Sequence, residues 1–350
     1  MPTWRELKNN SQLWDVFYLR QQIISAIREF FDRKNILEVF TPILQPAVIP
    51  ESYHEVFSTT LIDRKLKKNT RYLIPSPEVS IKKLLAAGLT NCFEITRCFR
   101  NRESGSNFHN PEFTSLEWYR TAATYFDIMK DCEELILFIN EKINKNNKTL
   151  IYQNYTVDLT LPWEKISVAQ AFKTYSNISL AEITDVKNKN NPFPTKKIAE
   201  IARKKGYRIF KNNTWEEFFN QIYLNEIEPH LGVNGKPTII YDYPAPLAAL
   251  GKLKKNDSRI VERFEIYLGR IELADACTEL TNYSEQKRRF KASENEIVNS
   301  TKNQIVVDFD FLEALKSGLP DCAGIAMGID RLIMLFADKK SISDTLLTFE

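Results

Sequence analysis

The sequence predicts an α+β fold, with antiparallel hairpins and amphipathic helices packed on them, on three observations. Residues 93–120 hold two arms rich in aromatic and β-branched side chains around turn formers at 101–111. Apolar residues recur at helical spacing in 18–31 and again in 125–143. The ten glycines form neither GxGxxG nor GxxxxGK(S/T), which excludes a Rossmann or P-loop frame for any nucleotide the protein binds.

Residues 1–18 form a polar lead-in. Ile23, Ile24, Ile27, Phe30 and Phe31 then mark one face of a helix, and ILEVFTP is a strand ending at Pro42. Residues 46–70 are loop-like, with a basic, solvated tip at 64–68. In YLIPSPEVSIKKLLAAG a strand stops at Pro75 and a helix opens near Ser76, with Pro77 and Glu78 in its first turn. Period-two alternation in the second arm of the hairpin places Phe113, Ser115, Glu117 and Tyr119 on one face and Thr114, Leu116, Trp118 and Arg120 on the other. With Arg100 entering from the first arm, the former set suits either a half-exposed hairpin or a site that stacks a ring and pairs ions.

Residues 145–236 carry a strand-like IYQNYTVDLTL, helical pieces and an Asn/Lys/Pro-rich loop at 187–194, with no evident chemistry. TIIYDYPAPLAALGKL is a strand and a turn-rich loop. RFEIYLGRIELADACTELTN is a hairpin turning at Gly269 that gathers Glu265, Glu272, Asp275 and Glu279. Four acids with one nearby Arg do not read as core, and a solvated acidic edge is the plain alternative. Asp275, Cys277 and Glu279 share a face while Glu272 has the opposite parity, so a bulge is required if all four reach one cavity. AGIAMGIDRLIMLFAD is strand, glycine and helix, with Gly324 and Gly328 permitting close backbone approach and Arg331 in the first helical turn.

The bulk numbers are those of a globular chain: 43% hydrophobic, 27% charged, net charge +3. That charge does not demand nucleic acid. The N-terminus lacks the pattern of a secretory signal, and no apolar run reaches the ~18 residues of a membrane helix, so a cytoplasmic location without membrane contact is expected. Five scattered cysteines without a CxxC pair predict reduced thiols, and three separated histidines exclude an HExxH helix.

FRN…HNPEFTSLEWY resembles motif 2 of the class II aminoacyl-tRNA synthetases in its lysyl-type form. The similarity runs from about Arg20 to the C-terminus. It is closest to the branch without an anticodon-binding domain, which lysylates elongation factor P. The helix–strand–Pro unit at 18–42 resembles motif 1 and AGIAMGIDRLIML resembles motif 3. The resemblance implies an antiparallel sheet flanked by helices, one catalytic domain over 19–350 with a variable insertion at about 145–236, and a homodimer formed through motif 1.

The resemblance also implies roles. ATP is contacted by Arg100, Asn101, Glu103, His109, Asn110, Phe113, Glu272, Leu273, Gly328 and Arg331, with Arg100 and Arg331 the catalytic cations. Glu265 and Glu272 hold Mg²⁺. Ser76, Glu78, Glu117, Tyr119, Asp275, Glu279 and Ala326 bind a lysine-like amino acid. The product is an aminoacyl-adenylate, and the acyl group passes to a lysine of elongation factor P. Aminoacylation of tRNA and a catalytically silent regulatory paralogue are the alternatives. Ala326 and Ser76 lean towards the elongation factor P branch, as does a lead-in with no room for an anticodon domain. Asp275 for a family Asn, Cys277 for an aromatic, and a motif 2 loop one residue longer with Arg102 where a Glu normally follows FRN depart from the pattern and bear on which amino acid is activated.

Overall fold

In the computed structural model, which describes residues 3–50, 55–145, 147–185, 187–188, 191–301 and 306–347, an eight-stranded mixed sheet carries the site. Its strands are β1 (Leu37–Glu38), β2 (Asn91–Phe99), β3 (Glu112–Thr121), β4 (Glu164–Ser167), β5 (Thr238–Pro244), β6 (Ile260–Leu268), β7 (Ile271–Thr278) and β8 (Cys322–Gly328). They lie in the order β1-β2-β3-β8-β7-β6-β5-β4. The six inner strands are antiparallel, and only the two edge strands pair in parallel. Both expected hairpins form, β2–β3 and β6–β7. The second closes on Gly269 and Arg270, both left-handed at φ 57° and 72°, a two-residue turn whose twist matches that of the strands.

Strand alternation gives the sheet two unlike faces. Phe93, Trp118, Ile325, Ala276 and Phe264 are in register across five strands and form an apolar row. Helices α1 (Asp15–Arg33), α3 (Tyr125–Asn144) and α6 (Ile329–Phe336) cover it, α2 (Glu78–Ala86), α4 (Trp215–Ile222) and α5 (Phe309–Gly318) lying elsewhere. Phe31 of α1 stacks on Phe93 at 4.4 Å and tilts against Trp118 at 5.4 Å. Each such side chain contributes about 1.5–3 kcal/mol on burial, so this layer is the main core.

The opposite face is covered only at its two sides. Over β5 and β6 lies a cluster from the 168–231 segment, in which Phe172, Trp215, Phe219 and Tyr223 pack on Tyr243 and Tyr267. At the β2–β3 side, Ile81 and Leu85 of α2 pack with Phe311 and Leu315 of α5 against Cys92 and Tyr119. A polar strip along β8 remains between the two.

Several local expectations change. The lead-in contains a helix, Trp4–Asn9, closed by a reciprocal capping box between Thr3 and Glu6. The motif 1 strand is only two residues long: Val39 N still donates to Phe93 O at 2.8 Å, but residues 40–43 leave the sheet. The 46–70 loop, whose residues 51–54 lie outside the described set, includes Ser58–Ile62 paired with Lys68–Leu73, and the basic tip is their turn. IYQNYTVDLTL is not one strand: Gln153 and Asn154, both at positive φ, fold it into the hairpin Thr149–Tyr152/Tyr155–Asp158. The 187–194 loop is described except at 189–190.

Candidate active site

On the polar face the side chains of β8 are Gly324, Ala326 and Gly328, a floor of very small residues. Tyr119, Glu117 and Ser115 of β3 stand opposite them on one side. On the other side β7 presents Cys277 opposite Gly324 and Asp275 opposite Ala326. The result is a trench whose floor runs about 13 Å from Gly324 to Gly328 at ~3.3 Å per residue. The bulge demanded by parity is present. Tyr267 pairs with Glu272 and Ile266 with Ala274, so Leu273 is the extra residue. It returns Glu272 to the face of Asp275 and Glu265 and turns the Leu273 side chain into the core, leaving only its main chain for a ligand.

The Gly324 end is rich in carboxylates. Glu117 is 1% exposed and accepts hydrogen bonds from Ser76 Oγ at 2.7 Å and Tyr119 Oη at 3.1 Å. Burial, and after it the charge of Glu78, pushes its carboxyl up to about 8. Ser76 Oγ also accepts from the main-chain N of Glu78 at 3.0 Å, so the SPE turn fixes α2 against β3. Glu279, also 1% exposed, and Glu78 both contact the ammonium of Lys82 at 2.5 Å. Lys82 is itself 1% exposed and did not figure among the expected site residues. Gly324 is indispensable here: a Cβ would lie 2.0 Å from Tyr119 Cε1 and 2.7 Å from Glu279 Oε1.

The Gly328 end is cationic. Arg331 Nε donates to Phe108 O at 3.1 Å and Nη1 to Glu272 O at 2.6 Å, while Nη2 lies 3.0 Å from His109 Nε2. Burial, followed by Arg331, holds His109 below its ordinary range, so the ring is neutral at pH 7. Arg100 lies on the other flank of the same loop. Its main-chain N donates to Pro111 O and its guanidinium sits 5.1 Å over the Phe113 ring. Its Nε is buried without a hydrogen-bond partner among the described residues, a cation held ready for an anion. Arg102 turns outward, at φ 61°, to pair with Glu55 at 2.6 Å. Glu103 is half-buried, and its charge reaches His109. Asn101 and Asn110 hold the loop through local bonds to Arg102 N and Glu112 O. Gly328 would meet only ordinary contacts as alanine, none shorter than 3.5 Å, so the protein itself does not require a glycine there.

Glu265 lies on the same face, next to Asp275. It accepts from Arg263 Nη2 at 2.7 Å and Tyr267 Oη at 2.9 Å. Burial raises its carboxyl, Arg263 opposes that, and the charges of Glu272 and Asp275 add to the rise. Among the described residues no group of three or more metal-ligating side chains is assembled. Two carboxylates brought to one face nevertheless fit Mg²⁺, which binds through one or two carboxylates plus substrate phosphates. All five cysteines are free, and Cys277 alone is not fully buried.

The sequence matches a model of the class II tRNA synthetases (D, K and N) over residues 3–348. It is 36% identical over 334 residues to an elongation factor P–(R)-β-lysine ligase of Baumannia cicadellinicola, covering 94% of this chain and 93% of that protein. A ligase of the same name from Buchnera aphidicola is 35% identical, with 93% of each chain covered. A lysine–tRNA ligase of Carboxydothermus hydrogenoformans is 34% identical over 97% of this chain and 66% of its own length. The bulged sheet, the three motifs and these matches lead to one conclusion: the chain belongs to the class II tRNA synthetases (D, K and N).

Proposed function

We propose that the protein activates lysine or a close analogue such as β-lysine with ATP, releasing pyrophosphate, and transfers the aminoacyl group from the adenylate to a lysine of elongation factor P. One observation carries the chemistry. A single trench has Glu117, Glu279 and Glu78 at one end and Arg100 and Arg331 at the other. That polarity suits a diamino acid whose carboxylate points at a nucleotide. Joining two anions requires positive charge where they meet. Arg100 serves the substrate carboxylate and α-phosphate, Arg331 the outer phosphates, and Phe113 the adenine, with His109, Asn110 and Glu103 around the nucleotide. When bound at Glu265 and Glu272, Mg²⁺ supplies further charge neutralisation to the phosphates.

The relatives named elongation factor P–(R)-β-lysine ligase, aligned over nearly their whole length, support the protein acceptor, and Ala326 on the trench floor is in keeping with it. The reading takes 19–350 as one catalytic domain with 145–236 as an insertion, working in the cytoplasm. No described helix is long and apolar enough to cross a membrane. A homodimer through motif 1 is supported by the exposed Tyr18, Leu37 and Phe40. The test is pyrophosphate exchange with lysine, β-lysine, ornithine and arginine, followed by transfer to elongation factor P or tRNA. Exchange with a diamino acid and labelling of the factor are expected; labelling of tRNA alone would overturn the acceptor.

A further inference from the structure

Lys82 is the most deeply buried cation contacting the trench. It lies one turn beyond Glu78 on α2, among Ile81 and Leu85, and its ammonium contacts Glu78 Oε1 and Glu279 Oε2 at 2.5 Å each. A lysine on a helix at i+4 from a glutamate is ordinarily a solvated pair worth a few tenths of a kcal/mol. Here the third member, Glu279, comes from the segment following β7, and the cation is closed off from water. Its neighbour Lys83 shows the ordinary case, pairing with Asp308 and Asp310 with 27% of its side chain exposed.

Charge counting gives the pair its meaning. The amine end holds the carboxylates of Glu78, Glu117 and Glu279 and the ammonium of Lys82, a net charge of −3 + 1 = −2 in the substrate-bound form, in which an incoming ammonium ionises Glu117 and every carboxylate is charged. The hydroxyls of Ser76 and Tyr119 and the thiols of Cys277 and Cys322 beside it are neutral, the Cys277 thiol lying 3.5 Å from Glu279 Oε2; the charge of Arg100 also reaches Glu117, and the activation reading matches that cation to the substrate carboxylate. Unmatched charge is costly in a buried site. A net −2 is cancelled by the two ammonium groups of a diamino acid. A monoamine leaves one charge unmatched, and without Lys82 a diamino acid would do the same.

Resting on the activation reading above, we propose that Lys82 is a positioning and specificity-determining residue. It ties Glu78 to Glu279 and trims the pocket charge to that of a diamino acid. The Lys82 ammonium pairs with Glu78 and Glu279 at the carboxylate-rich end, not with Arg100 or Arg331 at the other, so its removal acts on substrate binding rather than on the chemical step.

The experiment is pyrophosphate exchange with lysine in wild type, Lys82→Met, Glu279→Gln, the double variant and Lys83→Met. Lys82→Met is expected to raise KM for lysine at least ~10-fold with kcat within ~3-fold, a split that marks lost binding. The double variant restores −2 through Glu78 and Glu117, so its KM falls below those of both single variants. Lys83→Met behaves as wild type. An unchanged KM in Lys82→Met, or a double variant no better than either single one, overturns the proposal. Should Lys82→Met not fold, comparing Glu279→Gln with the double variant decides. A wild type that exchanges with no diamino acid overturns the activation reading and this inference together. An active wild type with indifferent Lys82 variants overturns the inference alone.

Discussion

Asp275 receives Arg263 through two parallel hydrogen bonds, Nε to Oδ1 and Nη2 to Oδ2, each 2.8 Å, and the same Nη2 reaches Glu265 Oε1 at 2.7 Å. Asp275, where the resemblance leads one to expect Asn, is therefore already neutralised and does not confront a substrate carboxylate as a bare charge. Its side chain is 42% exposed, so water shares in that neutralisation.

Two substitutions separate these roles. Asp275→Asn removes one partner of a half-solvated pair and should cost under about 1 kcal/mol of stability. Exchange activity should stay within ~3-fold, since Arg263 still anchors Glu265. Arg263→Met leaves the buried Glu265 without its cation and should cost about 3 kcal/mol. Urea unfolding alongside pyrophosphate exchange checks both; equal losses from the two would refute the division.

The pH dependence has a defined sign. Glu117 is raised from the ordinary carboxylate range up to about 8, first by burial and then by Glu78. The folded protein therefore holds a proton that the unfolded chain has released. The stability from this group is complete at acid pH and is lost as pH rises towards 8. An incoming ammonium favours the ionised form, so lysine binding should tighten over the same window. KM for lysine should fall between pH 6.5 and 8.5, and the thermal shift given by lysine should grow. Glu117→Gln should flatten both trends and raise KM about 30- to 100-fold, as expected for a lost bond between charged groups.

The two trench glycines make opposite predictions. Alanine at 324 would push into Tyr119 at 2.0 Å, and displacing that ring should cost about 1–3 kcal/mol and disturb Glu117 with it. Alanine at 328 has no neighbour closer than 3.5 Å and a φ of −74°, so stability should change by less than about 0.5 kcal/mol. Any loss of exchange by Gly328→Ala then measures crowding of the nucleotide. Melting curves with and without ATP separate the two effects.

Much of this was legible from alternation. The ranks Phe113–Ser115–Glu117–Tyr119 and Asp275–Cys277–Glu279 need only a period of two, and the parity clash of Glu272 required the bulge found at Leu273. What escaped depended on tertiary neighbours. Lys82 looks like half of a surface pair until Glu279 arrives from another element. Arg102 looks like a disruption of motif 2 until Glu55 draws it outward. The helix at Trp4–Asn9 was announced by its Thr-x-x-Glu box, but six residues are too few for periodicity to register. Gln153–Asn154 lacks the glycine that usually marks a two-residue hairpin turn.

Arg100 and Arg331 bracket one loop yet differ in what they hold, and that difference should separate stability from catalysis. Arg331 bonds Phe108 O and Glu272 O and meets His109, fastening the loop to β7. Arg331→Ala should lower both stability, by about 1–2 kcal/mol for the lost hydrogen bonds, and exchange. Arg100 holds no protein acceptor among the described residues and keeps only its contact with Phe113. Arg100→Ala should leave stability within about 1 kcal/mol of wild type, since a cation–π contact of this kind contributes no more. Exchange should nevertheless fall by about 10²–10³, the usual loss when a preorganised charge is removed from a developing anion. A destabilised Arg100→Ala that retained activity would show that this guanidinium serves the fold and not the reaction.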